Sequence, residues 1–496
     1  MKQRVLTALL AFLLMFSLLA GLISCADPSS PDQPDPPQDP DDPSTPDDPG
    51  TDPEKEPPTI PDSLLGTGET ITIVTEGWAT YAPLDVPDIA VEEFTDSNAL
   101  SSAAYRRNEW IKEYLGVELE FRNYPHYTES FPVMSTLINS GTCDVDFWLL
   151  RGAAYGSCIS NNLLMPLDED ALTYFDPDRV WWDSNSYSAL SIAGEHYGVI
   201  GDFTVADDMT YWNVFFNKGM ISDYDLESPY ELVKSGDWTY EKMYEMASVV
   251  AEDIISGEVR YDDPHGISMI RDVLAGALNT AGIMIAEKDD NDLPVPTFYS
   301  DRTVTVFEDL CDIFYDSQVV YNCHVKNCDE IAIFTDGNTL FTMGGVYYGP
   351  QMRNTEVDFG ILPMPKYEES DEYRSATSPL FVNILAVPLS GTNEHLDLTG
   401  AFMELYAYKG NETVVPAFHE RLLRSQIARD DESEAMIDYI FANTVFDLGS
   451  IFNFGNFSFT LIDMMYSNNR NIASTWRTNE TLVNADIDKL VDALLN

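Results

Sequence analysis

The chain has 496 residues, with 83 acidic against 27 basic side chains and a formal net charge of −56. A field of that sign repels phosphate backbones and anionic headgroups, which argues against nucleic-acid binding and against a basic membrane-docking face. With 44% apolar residues there is ample core material, and residues 63–496 exceed what one core usually supports, so two lobes or domains are expected.

Lys2 and Arg4 precede an apolar run from Val5 to Ser24 that ends in Leu22-Ile23-Ser24-Cys25. A basic n-region, an apolar h-region and a small residue before Cys form the pattern that bacterial lipoprotein maturation cuts and acylates. The competing reading is a plain membrane anchor, since about 20 apolar residues can cross a bilayer. The polar turn at Asp27 favours removal of residues 1–24 and lipid on Cys25. No second apolar run of about 18 residues occurs, so the chain is not itself a permease.

Residues 25–62 then form a Pro- and Asp-rich linker. From Ala26 to Asp62 it carries ten Asp, two Glu and one Lys, a net charge of −11. Such a stretch cannot bury a core, and at about 3.1 Å per residue in polyproline II it reaches up to roughly 115 Å. Taking away this −11 and the +2 of the signal segment leaves −47 on the body. Beyond Cys25 five cysteines remain, an odd number, so at least one thiol stays free. Cys323-His324-x-x-x-Cys328 lacks the second Cys pair of a zinc ribbon, which favours a local disulfide or buried thiols over a metal.

The body alternates strand and helix signals. Ile71, Ile73 and Val74 begin a strand reaching Glu76-Gly77-Trp78. Ala104, Ile111, Tyr114 and Leu115 fall at helical spacing before Gly116, a suitable C-cap, and Val117, Leu119 and Phe121 alternate as a strand. This order resembles a βαβ unit of a parallel sheet. A further strand over Cys143 to Leu150 leads into Arg151, and parallel sheets bind ligands at the carboxyl ends of their strands, where Glu76, Trp78 and Arg151 would sit. Tyr211 to Phe216 reads as a strand, and Thr239 as the N-cap of a helix whose Met243, Met246, Ala247 and Val250 face the core.

Phe334 to Gly337, leading into Thr339 to Gly345 and then Tyr347-Tyr348, is followed by Gly360-Ile361-Leu362-Pro363-Met364-Pro365. This stretch resembles the extracellular solute-binding proteins of bacterial ABC importers, the group containing maltose-binding protein. Gly194-Glu195-His196-Tyr197-Gly198, Phe216-Asn217-Lys218 and Gly236-Asp237-Trp238-Thr239 agree with it in order, while beyond Gly391 the likeness is only compositional. The resemblance implies an α/β fold of periplasmic-binding-protein type II, two lobes joined by crossover hinge strands. Lobe one would hold 69–205 plus 343–390, and lobe two 206–342 plus 391–496. It further implies hinge closure on a ligand, with an ABC permease as partner and no enzymatic activity.

A saccharide cleft combines aromatic faces with carboxylate, amide and guanidinium groups. Trp78, Tyr155, Trp212, Tyr347 and Tyr348 are expected to stack on a sugar, with Glu76, Arg151 and Asp202 hydrogen-bonding it; the resemblance places its aromatic pair at Tyr347 and Tyr348. Trp148 and Trp238 read as core, and the neighbours Trp181 and Trp182 need not face the same way. The rival reading is a secreted glycoside hydrolase with two carboxylates. No Gly-x-Ser-x-Gly elbow, His-Glu-x-x-His helix, P-loop or Gly-x-Gly-x-x-Gly occurs, so no cofactor or catalytic metal is expected. Asp289-Asp290-Asn291-Asp292 lacks the Gly and closing Glu of a calcium loop.

Overall fold

The computed structural model describes residues 56–76, 88–124, 126–168, 172–254, 259–270, 272–378, 381–389, 395–419 and 430–495. The signal segment, Cys25, most of the linker and Trp78 lie outside the described residues. No helix among the described residues is long and apolar enough to cross a membrane.

The first sheet has the order β12-β3-β1-β2, from β1 (Thr70–Glu76), β2 (Glu118–Tyr124), β3 (Phe147–Arg151) and β12 (Asn383–Ala386). β1 is parallel to both β2 and β3, and β12 runs antiparallel to β3. Helix α1 (Ala99–Leu115) crosses between β1 and β2; the Asn98 side chain caps its start and Gly116, at φ 67°, ends it. Period-two alternation gives β3 two buried faces. Phe147 and Leu149 join the core beside Ile71, Ile73 and Ile111, whereas Trp148 and Leu150 join the core that continues through the rest of the molecule.

The second sheet has the order β10-β4-β9-β5-β8, from β4 (Trp212–Asn217), β5 (His265–Met269), β8 (Val320–Asn322), β9 (Thr339–Gly345) and β10 (Phe359–Pro363). Thr239 accepts the Lys242 N–H at 3.1 Å and starts the helix Tyr240–Ala251, whose Met243, Met246, Ala247 and Val250 are buried. Trp148 and Trp238 are fully buried.

The two sheets define two lobes, with boundaries that differ from the expected ones. Residues 343–363 stay in the second lobe, because β9 and β10 both pair with β4; the return to the first sheet comes only at β12. The C-terminal part divides. The helix Leu396–Ala417, here α2, packs on α1 in lobe one, where the Arg107 guanidinium lies 4.0 Å from the Tyr406 ring and donates to its hydroxyl at 2.7 Å. After Asp430 the chain belongs to lobe two: Asp431–Ala442 packs on β10, and Phe457–Tyr466 on the helix Val273–Thr280. Between the lobes, Tyr211 bridges to Thr377, the Thr210 and Thr377 hydroxyls lie 2.5 Å apart, and Ser375–Ala376 pairs with Thr444–Val445. These strands are the crossover hinge.

Cys323 and Cys328 form a disulfide, while Cys143, Cys158 and Cys311 are buried and outside any disulfide. Among the described residues no group of His, Cys, Asp and Glu could hold a metal ion.

Candidate functional site

Because β1 and β3 are parallel, their last residues, Glu76 and Arg151, reach the same edge of the first sheet. Arg151 Nε lies 3.6 Å from Glu76 Oε2, with the side chains 3% and 0% exposed. Burial pushes the Glu76 pKa from 4.5 up to about 7, against the opposing pull of Ser130 and Arg151. Ser130 opens the helix Ser130–Asn139 and also accepts the Trp148 indole N–H at 3.1 Å.

From Arg151 a row of rings runs into lobe two. Its guanidinium lies 5.9 Å from the Phe381 ring centroid, Phe381 is 6.1 Å from Tyr347, and Tyr347 meets Tyr348 edge-on at 4.9 Å. The Tyr348 hydroxyl donates to Glu330. The two tyrosines fold back on the strand they follow. A Cβ on Gly344 would stand 2.1 Å from the Tyr348 ring, and one on Gly345 would stand 2.4 Å from that of Tyr347. The glycines are therefore what lets the pair turn inward. Tyr347 is 9% exposed and Tyr348 1%.

The other expected site residues have different surroundings. Trp212 pairs with Gly345 across the sheet and packs against Gly276, whose Cβ would lie 2.6 Å from its ring, so it supports the floor under the aromatic pair. Tyr155 is fully buried on the helix Gly152–Ile159 and meets Phe452 edge-on at 5.4 Å. Asp202 is tied to α2 of lobe one, accepting from Asn411 Nδ2 at 2.6 Å; burial raises its pKa to about 7. Trp181 and Trp182 do converge: their indole N–H groups donate to the two oxygens of Glu404 at 2.9 and 3.0 Å, a structural anchor inside lobe one.

Separate from this row is a cavity of about 340 Å³, walled by Phe131, Ser157 and Asn161 of lobe one and by Asn453, Phe454 and Lys489 of the C-terminal segment. Lys489 Nζ reaches Asn161 Oδ1 at 3.4 Å across the gap, and Phe452 and Phe454 stack at 5.6 Å. Asn453, at φ 52°, has a buried Oδ1 without a hydrogen-bond partner. Rings beside amides, a hydroxyl, Asp486 and a lysine suit a ligand with apolar faces and a polar rim. Sequence reasoning did not assign these residues. The alternation Phe452-Asn453-Phe454-Gly455-Asn456-Phe457 was the available signal, but nothing in it says which lobe it faces.

No protein-family model and no curated protein matches the chain. Solved structures do resemble it. An ABC substrate-binding protein from Listeria monocytogenes in complex with cycloalternan aligns over 86% of this chain and 99% of its own, at TM-score 0.53 and 13% identity. An ABC transporter solute-binding protein from Thermotoga lettingae bound with α-D-tagatose aligns over 85% and 100%, at TM-score 0.53 and 14% identity. A sugar transporter from Rhizobium etli in an open conformation gives 86% and 98%, at TM-score 0.53 and 13% identity. The sheet orders, the crossover hinge and these alignments together give this chain the two-lobed, type II fold of the ABC-transporter solute-binding proteins.

Proposed function

We propose that the protein is a membrane-tethered extracytoplasmic receptor that captures a carbohydrate, an oligosaccharide in this reading, and delivers it to an ABC importer. The observation that carries this reading is the row from Glu76 and Arg151 in lobe one, through Phe381, to Tyr347 and Tyr348 in lobe two. Groups from both lobes that meet one ligand convert binding energy into lobe closure, and closure is what a permease can read. The sugars bound by the Listeria and Thermotoga proteins support the ligand class. In this reading lipid on Cys25 holds the protein at the membrane and residues 25–62 space the body from it.

Two acids of the first lobe are taken up by structure. Asp144 is paired with Arg122 at 2.7 Å and Asp146 accepts the Thr72 N–H at 2.8 Å, so both hold structure. Incubation of the purified protein with a panel of neutral oligosaccharides tests the proposal. A receptor raises its melting temperature with one of them and leaves that sugar intact. Cleavage of the sugar, or no shift with any, overturns it.

A further inference from the structure

The acidic turn that resembled an incomplete calcium loop has other work. Asp289 Oδ1 accepts the N–H groups of Asn291 and Leu293, both at 2.9 Å, so the turn between β6 (Ala286–Lys288) and β7 (Pro294–Pro296) closes on its own carboxylate. That leaves Asp292, at φ 59°, projecting from the tip. Its Oδ2 accepts the Gly194 N–H at 2.9 Å, its Oδ1 accepts from the Ser191 hydroxyl at 3.1 Å, and its backbone oxygen takes the Ala193 N–H at 2.8 Å. Lys288 Nζ pairs with Asp292 Oδ1 at 2.8 Å and reaches the Ser188 carbonyl at 2.6 Å and Ser191 Oγ at 2.5 Å.

The two sides of this joint belong to different lobes. Gly194 lies on the Ile192–Glu195 hairpin and Ser191 directly precedes it; the chain continues through the Val199–Leu385 bridge onto β12 of the first sheet. β6 and β7 pack on the C-terminal helices Leu448–Ile451 and Ile472–Leu495, and the latter packs on Asp301–Phe314 of lobe two. The Lys288 and Asp292 side chains are only 19% and 29% exposed, which strengthens charge-assisted hydrogen bonds relative to fully solvated ones. The geometry points to a clasp: the Lys288–Asp292 turn of lobe two grips the Ser188–Gly194 segment of lobe one and sets the open–closed equilibrium of the protein before any ligand arrives. A tie of this kind makes part of the closing free energy independent of the ligand.

The clasp needs only the two lobes, so it is tested without sugar and stands or falls apart from the binding proposal. Asp292→Gly keeps the left-handed backbone and removes the carboxylate contacts to Gly194, Ser191 and Lys288; Ser191→Ala removes the hydroxyl facing both charged groups. Spin labels introduced by Tyr114→Cys in lobe one and Val249→Cys in lobe two, both exposed positions, report the interlobe distance. The expected result is a longer mean distance in both variants and amide exchange at residues 192–195 faster by about tenfold, with the melting temperature nearly kept. An unchanged distance distribution with unchanged exchange in both variants overturns the clasp. Faster exchange at an unchanged distance also overturns it, since the joint would then only pin the hairpin.

Discussion

Gly156 and Phe452 touch backbone to backbone: a Cβ on Gly156 would stand 2.7 Å from Phe452 Cα and 2.8 Å from its carbonyl oxygen. One belongs to a lobe-one helix and the other to the C-terminal segment of lobe two, so a side chain there acts as a wedge. Gly156→Val is expected to push the two segments apart, since overpacking costs about 1–3 kcal/mol, and to weaken sugar binding about tenfold if the ligand-bound form keeps this contact. Calorimetry of the variant with the sugar found for the wild type checks this; wild-type affinity would show that closure does not need the contact.

The tyrosine pair is expected to affect both binding and folding. Tyr348 is buried and tied to Glu330, so Tyr348→Ala should cost about 3–5 kcal/mol of stability. Tyr348→Phe keeps the ring and leaves Glu330 short of a donor, at about 1–3 kcal/mol. Tyr347→Phe removes only a hydroxyl and keeps the ring that meets Phe381. If Tyr347 stacks on the ligand, Tyr347→Phe should bind like wild type and Tyr347→Leu roughly tenfold more weakly, as melting curves and titrations run together will tell.

Glu76 gives a pH dependence of stability. Its folded pKa, about 7, lies above the ordinary 4.5, so the folded state holds a proton that the unfolded state has released. Its penalty is therefore absent below about pH 4.5, grows as pH rises towards 7, and is complete above that. Glu76→Gln, which cannot ionise, should be close to neutral at pH 4.5 and stabilising at pH 8, by up to about 3 kcal/mol. Denaturant unfolding at the two pH values measures the difference. An equal effect at both would mean that Glu76 is ionised throughout.

Cys25→Ser should abolish incorporation of a labelled fatty acid, since only the thiol takes the diacylglyceryl group. Equal labelling of the variant would place the lipid elsewhere or leave the membrane contact to the apolar segment.

Local chemistry was legible in the sequence where a few neighbouring residues decide the outcome. Gly116 ends α1 and Thr239 caps its helix because both act within one turn. Glu76 and Arg151 could be placed at strand ends from alternation alone, though not their pairing, which depends on β1 and β3 being neighbours. Asp202 was chosen as a carboxylate able to hydrogen-bond a sugar, yet its partner is Asn411, 209 residues further on, in a helix that composition alone could not assign to a lobe. The assignment of α2 to lobe one likewise rests on Arg107 and Tyr406, 299 residues apart. The lobe boundary near 343 was misplaced because β9 is buried at every position, a pattern that fits either sheet.

The position of α2 in lobe one has a consequence for synthesis. β1, β2 and β3 are made first, but β12, which flanks β3, and α2, which covers α1, are made only after all five strands of the second sheet. A chain growing from its N-terminus cannot seal its first lobe until residue 417 has been added, and such long-range closure is slow. Until then β3 keeps an unpaired edge and α1 an uncovered face, which is the stage at which the growing chain most needs a holding chaperone.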